Sequence, residues 1–265
     1  MTQLWESWPL QTDTSASKIR ALQRFFAVLR LLMALVVVVS IGVQVVDLAT
    51  HNAFVPGRYF TFFTIQASLI CVAVLVVSAL VGLAGARESP VLGTLRLAAV
   101  IYSLLAGVVF ALLLRSVPSE GYVGIQWPNE VLHIVLPTVL LIDWLCAPGR
   151  RRLPWSSIWG VVSYPTVWVV FVLVHAALTG WQPYPFLVPR EMADAPAREI
   201  PLTPGGQTLA LGVDAYGGYG VVAIHILLIA AGVISVTAGA VLVTRLSSRP
   251  PRYMDSDPQS SSLLR

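Results

Sequence analysis

Six stretches of this sequence are apolar and long enough to cross a lipid bilayer, which takes about 20 residues of α-helix. They cover residues 27–50, 60–85, 93–115, 127–147, 155–179 and 220–244. Only 11% of the chain is charged and the mean hydropathy is +0.76, whereas about 25% of a soluble domain is charged. Because a bilayer offers the backbone no hydrogen-bond partners, spans of this length must be helical. We predict an all-α polytopic membrane protein, a bundle of six transmembrane helices.

The segments outside these spans set the domain organisation. Residues 1–26 form a polar N-terminus, and 27–245 form the transmembrane domain. Residues 181–219 are a long loop rich in proline and glycine, and connections of that length are often functional. Residues 246–265 have the composition of a disordered tail. The N-terminus is not expected to be a signal peptide, because its apolar run comes late and is too long.

The basic residues are distributed unevenly between the two sides of the predicted membrane domain. Thirteen of the 17 lie at the termini and in the connections near 87–96 and 150–152, against four on the other side. Cytoplasmic segments of membrane proteins carry an excess of Lys and Arg. We therefore predict a multi-pass protein of the cell membrane with both termini in the cytoplasm. Because the positive charges follow the predicted membrane topology, the net charge of +4 does not indicate a nucleic-acid partner.

Polar side chains of four spans fall at one predicted depth. With a rise of about 1.5 Å per residue, Thr64, His133, His175 and His225 each lie roughly 6–9 Å below the outer edge. Ionisable residues inside membranes usually face the bundle interior and mark functional sites. Each also has a structural explanation, because a Thr can bond its own helix and a His can be a packing residue near a helix end.

Helical spacing sorts the polar residues of the second span into two faces. Thr61 and Thr64 share one stripe of small and polar side chains with Gly57, Ser68 and Cys71, suited to contact with other helices. Gln66 points elsewhere and is expected to hold a neighbouring helix or line a pocket.

On the fourth span, Asn129 and Glu130 precede His133 by four and three residues. All three share a face, so either could hydrogen-bond the imidazole. Asp143 lies ten residues beyond His133 and is expected to be an acid at the inner membrane interface.

A threonine near a histidine is the smallest pair that can form a nucleophile and its base. Histidine is the side chain best suited to take a hydroxyl proton near neutral pH. The sequence has no GxSxG, HExxH, dinucleotide or phosphate-loop motif and no metal-ligand pair at i, i+4. We accordingly expect no metal and no cofactor.

Three motifs resemble a known family. "FFTIQASLI", "LHIVLPTVLLIDW" and "LTGWQPYPFL" are similar to the androgen-induced and androgen-dependent TFPI-regulating protein family, and more closely to its bacterial branch. Animal members are intramembrane hydrolases that cleave fatty acid esters of hydroxy fatty acids with one Thr and one His. The resemblance implies that Thr64, or Thr61 in a second alignment, is the nucleophile and that His133 is the base.

The leading hypothesis is therefore a lipid-ester hydrolase that works among membrane lipids on a lipid-like substrate. Thr64 or Thr61 would attack, His133 would carry the proton, and either Asn129 or Glu130 would orient it. Gln66, His175 and His225 are candidates for the substrate pocket. The alternatives are a ligand-binding or transport protein and a structural bundle whose polar residues only join helices. The sequence leaves the oligomeric state open.

Overall fold

The computed structural model describes residues 11–86, 88–115, 122–148, 151–189, 199–201, 208–210 and 218–247. Among these residues the structure contains eight α-helices: α1 (Gln11–Thr50), α2 (Pro56–Tyr59), α3 (Phe63–Leu83), α4 (Pro90–Val109), α5 (Trp127–Glu130), α6 (Leu136–Cys146), α7 (Ser157–Thr179) and α8 (Tyr219–Ser247). A 3-10 turn covers Pro185–Leu187, and two short antiparallel strands, β1 (Glu199–Pro201) and β2 (Thr208–Ala210), pair within the predicted long loop.

Two π-helical segments interrupt the regular helices. One, Phe110–Leu114, continues α4, and the other, Val131–Val135, joins α5 to α6. Each therefore belongs to a longer continuous helix, and the chain crosses the bundle once from Pro90 to Leu114 and once from Trp127 to Cys146.

The fold prediction is confirmed: six of the resulting helices are long and apolar enough to span a membrane. Their outward faces carry large apolar side chains in quantity, as expected for surfaces that meet lipid. The predicted spans agree with the observed helices to within a few residues, except at the start of the chain. There α1 begins at Gln11, inside the predicted polar N-terminus, because no Gly or Pro interrupts residues 11–41. The predicted disordered tail lies outside the described residues beyond 247.

Local sequence explains where several helices begin and end. The Ser89 hydroxyl accepts the Leu92 N–H at 3.1 Å and caps α4, whose first residue is Pro90. Gly180 ends α7 with a φ of 70°, a left-handed conformation that glycine adopts without steric cost. By contrast, α3 starts after Phe62 with no side-chain cap, which leaves its first N–H groups without a partner from the capping residue.

The helices pack around α4, which contacts α3, α6, α7 and α8. Its buried residues run almost its full length, from Leu92 to Ala106. Helix α1 packs mainly on α3, and α8 packs on α7. This arrangement brings the start of α3, the end of α4 and the π segment after α5 together at one end of the bundle.

Candidate functional site

Thr64 and His133 meet in the interior at that end. The Thr64 hydroxyl Oγ1 lies 3.1 Å from Nε2 of His133, within hydrogen-bond distance. Both residues are buried, with 8% and 9% of their surfaces exposed. Thr64 belongs to the first turn of α3 and His133 to the π segment after α5, so only the tertiary fold joins them.

The other imidazole nitrogen identifies the tautomer. Nδ1 of His133 lies 2.9 Å from the backbone carbonyl oxygen of Asn129. A carbonyl can only accept, so Nδ1 carries the hydrogen and Nε2 of the neutral ring presents its lone pair. The Thr64 hydroxyl therefore donates to Nε2. A hydroxyl that donates to a neutral imidazole is the geometry from which a base can take its proton.

The imidazole ring is held in place by its packing. Phe110, the first residue of the other π segment, stacks on His133 with ring centroids 4.2 Å apart and planes 26° from parallel. Helix α4 approaches the π segment closely at Gly107, where an added Cβ would lie 2.5 Å from the His133 carbonyl oxygen. Single π-helical turns recur at functional sites because they redirect side chains locally. Here both π segments converge on the same histidine.

An apolar cavity of about 280 Å³ opens beside Thr64. It is enclosed by α3, α4, α7, α8 and the turn at Pro185–Leu187, with walls such as Leu105, Val169 and Ile229. Thr64 contacts both this cavity and His133, whereas the imidazole is not among the described residues that line it. No charged side chain of the described residues lines the cavity. It is suited to an uncharged, largely apolar group, and its volume approaches the lower range of ligand pockets, about 300 Å³.

Tyr184 brings a second hydroxyl to Thr64. Burial raises the pKa of Tyr184, while hydrogen bonding with the Thr64 side chain and with the N–H groups of Thr64 and Phe63 opposes that rise. Because these contacts favour the ionised phenol, the N–H groups of Thr64 and Phe63 donate to the Tyr184 oxygen. The Tyr184 ring packs against Trp168 and Phe186, with centroids 5.8 and 5.3 Å apart. The start of α3 thus brings together the Thr64 hydroxyl, the His133 imidazole and the Tyr184 hydroxyl.

The structure separates the two candidate threonines. The Thr61 hydroxyl donates to the Gly57 carbonyl oxygen at 2.6 Å, the bond to its own chain that is the structural explanation for a threonine in a span. Its backbone carbonyl accepts the indole N–H of Trp168 at 3.1 Å. Gln66 donates to the Phe60 carbonyl and accepts from Tyr164 of α7.

The remaining predicted residues lie apart from the pair, with one exception. Asn129 orients His133, but through its backbone carbonyl and not its side chain. Glu130 pairs with exposed Arg115 at 3.8 Å. His175 contacts Thr179, and His225 donates through Nδ1 to the Val221 carbonyl at 2.9 Å. The described contacts place neither histidine on Thr64 or in the lining of the cavity.

Sequence reasoning missed four residues that shape the site: Tyr184, Trp168, Phe110 and Gly107. Tyr184 lies in the segment "TGWQPYPFL", whose aromatic and proline content was a usable signal. Gly107 and Phe110 had no recognisable signal in the sequence, because each acts through a contact between distant parts of the chain. Among the described residues, no group of three His, Cys, Asp or Glu side chains is placed to hold a metal ion.

Comparison with protein-family models, with curated proteins and with solved structures gave no match for this chain.

Proposed function

We propose that this protein is an intramembrane ester hydrolase that uses Thr64 as nucleophile and His133 as general base. The observation that carries the proposal is the 3.1 Å contact between a threonine hydroxyl and the unprotonated Nε2 of a buried histidine, at the wall of an apolar cavity. The resemblance of the motifs around these two residues to the androgen-induced and androgen-dependent TFPI-regulating protein family points to the same pair.

In the first half-reaction, the Thr64 oxygen attacks the ester carbonyl carbon and its proton passes to Nε2 of His133. The imidazolium keeps its Nδ1–H on the Asn129 carbonyl. When the tetrahedral intermediate collapses, the bond to the alkoxy group breaks and Nε2 gives its proton to the leaving alcohol. An acyl group is then esterified to Thr64. Water, deprotonated by Nε2, attacks this ester and releases the carboxylic acid, and Nε2 returns the proton to Thr64.

The negative charge of the tetrahedral intermediate needs donors fixed before the reaction. The Tyr184 hydroxyl lies beside Thr64, where its oxygen accepts the N–H groups of Thr64 and Phe63 and its own proton remains to be donated. The positive end of the helix dipole adds to its effect, since α3 begins at this point. Tyr184 is the candidate for an oxyanion donor.

The cavity favours an ester whose reacting group is attached to an apolar chain. Its walls are aliphatic and aromatic, and the described lining offers no charged partner for a polar headgroup. Membrane lipids and lipid-like esters have the required chemistry. With the basic end of the bundle in the cytoplasm, as the distribution of Lys and Arg favours, the pair lies in the outer half of the membrane, where such a molecule could approach from the side.

The test is covalent labelling of the purified full chain in detergent by a fluorophosphonate, which reacts with activated hydroxyl nucleophiles. Wild type should be labelled, and Thr64→Val and His133→Ala should lose the label. Thr61→Val is the matched control for the hydroxyl. His225→Ala is the control for the histidine, because His225 makes the same Nδ1 contact with a carbonyl four residues earlier. Equal labelling of wild type and Thr64→Val would refute the mechanism.

A further inference from the structure

A second and larger cavity lies at the opposite end of the bundle. Its volume is about 540 Å³, and it is bounded by α1, α3, the α3–α4 connection, the start of α4 and the residues that follow α6. Three arginines line it: Arg30 from α1, Arg96 from α4 and Arg151. None of them takes part in the Thr64–His133 site, so a function of this cavity does not depend on the proposed hydrolase activity.

Two of these arginines are buried in a network of ion pairs. Asp143 accepts Nε of Arg30 at 2.9 Å through one oxygen and Nη2 of Arg96 at 2.8 Å through the other. Arg96 also donates to both carboxylate oxygens of Glu88 at 3.0 Å. Each of the two has only 7% of its surface exposed. Asp143, which the sequence places at the inner interface, is 4% exposed and joins α1, α4 and α6 through these ion pairs.

The charges of the described residues around this cavity do not balance. Three guanidinium groups line it, whereas the neighbouring carboxylates are Glu88 in the wall and Asp143 behind it. A formal excess of one positive charge remains. The excess belongs to Arg151, which is exposed at the edge of the cavity and has no carboxylate partner among the described residues, so the site favours a monovalent anion.

One unused hydrogen-bonding group belongs to a residue that lines this cavity. Ser78 Oγ is buried and has no hydrogen-bond partner among the described residues, and Ser78 lines the cavity. Arg30 donates through Nε to Asp143 and through Nη1 to the Ser78 carbonyl, so its guanidinium lies beside this serine. Buried polar groups without partners are rare and call for a specific explanation. A ligand with acceptor oxygens would satisfy the Ser78 hydroxyl.

We propose that this cavity binds a phosphate ester carrying one negative charge, such as the phosphodiester of an anionic phospholipid headgroup. Planar guanidinium groups match phosphate oxygens in geometry as well as charge, and the serine hydroxyl can donate to a further oxygen. Apolar walls at Phe26, Val81 and Leu92 accommodate the adjoining carbon chain. Basic pockets between transmembrane helices bind lipid headgroups elsewhere.

The decisive variant adds charge without removing a contact. Ala86 is exposed and lines the cavity, so Ala86→Glu places a carboxylate at its edge. Ala84→Glu is the matched control, because Ala84 is also exposed but does not line the cavity. Melting curves of both variants in detergent should match wild type, which shows that the fold is kept.

Lipid binding is measured by native mass spectrometry of the purified full-length protein, with phosphatidylglycerol or with diacylglycerol that has the same acyl chains. Binding of sodium phosphate is measured by thermal shift. Wild type should retain phosphatidylglycerol but not diacylglycerol. Ala86→Glu should weaken that binding about tenfold or more, by repulsion between like charges, and Ala84→Glu should not. A response to sodium phosphate without lipid retention would support the anion site and identify a soluble ester as its source. Equal retention of the two lipids, or unchanged binding by Ala86→Glu, would overturn the proposal.

Discussion

Gly107→Ala is the substitution that most directly tests how the fold positions His133. The new Cβ would lie 2.5 Å from the His133 carbonyl oxygen, a separation that real Cβ atoms do not show. The obstacle is backbone, so it cannot rotate away as a side chain would. Either α4 or the π segment at Val131–Val135 must shift, and the Thr64–His133 contact shifts with it.

The size of the effect follows from two opposing contributions. Overpacking a well-packed interior typically costs about 1–3 kcal/mol, whereas replacing a helical Gly by Ala returns at most about 1 kcal/mol of helix propensity. We therefore expect a net loss of up to about 2 kcal/mol in the free energy of unfolding. Reactivity should fall further, because misplacing a catalytic group by about 1 Å can reduce the rate of reaction about 100-fold.

The assay pairs fluorophosphonate labelling rate with the melting temperature in the same detergent. Gly232→Ala on α8 is the control, because a Cβ there meets nothing within 4 Å. Gly107→Ala should be labelled much more slowly at a temperature where it is still folded, while Gly232→Ala should match wild type in rate. If Gly107→Ala keeps both the rate and the melting temperature of wild type, the close approach of α4 does not position the base.

Individual contacts elsewhere in the bundle lead to three more predictions. Tyr184→Phe should lower kcat for an ester substrate about 10–1000-fold with little change in KM, as loss of an oxyanion donor does; a change confined to KM would contradict that role. Asp143→Ala should destabilise the bundle by about 3–5 kcal/mol, since it leaves two buried arginines without their shared partner, and an unchanged melting temperature would refute this. Burial raises the pKa of Tyr59 from 10 to about 12. The contribution of Tyr59 to the free energy of unfolding is therefore complete below pH 10 and is lost as the pH rises through 12. Tyr59→Phe should remove that alkaline loss of stability, and melting curves in which wild type and Tyr59→Phe respond identically to alkaline pH would contradict it.

The bundle could be predicted from sequence because its cause is local. A bilayer requires helices about 20 residues long. The runs of apolar residues in the sequence therefore predict how many transmembrane helices there are and where they lie. Helical rise then converts position into depth, which is why the sequence already places Thr64 and His133 at one level. The same calculation also selects His175 and His225, because depth says nothing about which helices are neighbours.

The rest of the site depends on contacts that no periodicity encodes. Whether Thr61 or Thr64 meets the histidine is decided by where α3 starts, and Thr61 lies just before that start, with its hydroxyl bonded to Gly57. The orientation of His133 comes from a backbone carbonyl, which every residue has. The ion pairs of Asp143 could not be predicted either, because its two arginine partners, Arg30 and Arg96, lie on other helices.

Burying polar groups in a membrane bundle is costly, and this chain places many of them at two levels. One level holds Thr64, His133 and Tyr184, and the other holds the arginines around Asp143. The helix from Trp127 to Cys146 joins the levels, since its residues 133 and 143 are ten positions apart, or about 15 Å along the helix. At that distance the effects of substitutions usually add. A Gly107→Ala, Ala86→Glu double variant should therefore show the labelling defect of the first and the binding defect of the second, each at its single-variant size. A larger combined loss would mean that the two ends of the bundle are energetically coupled.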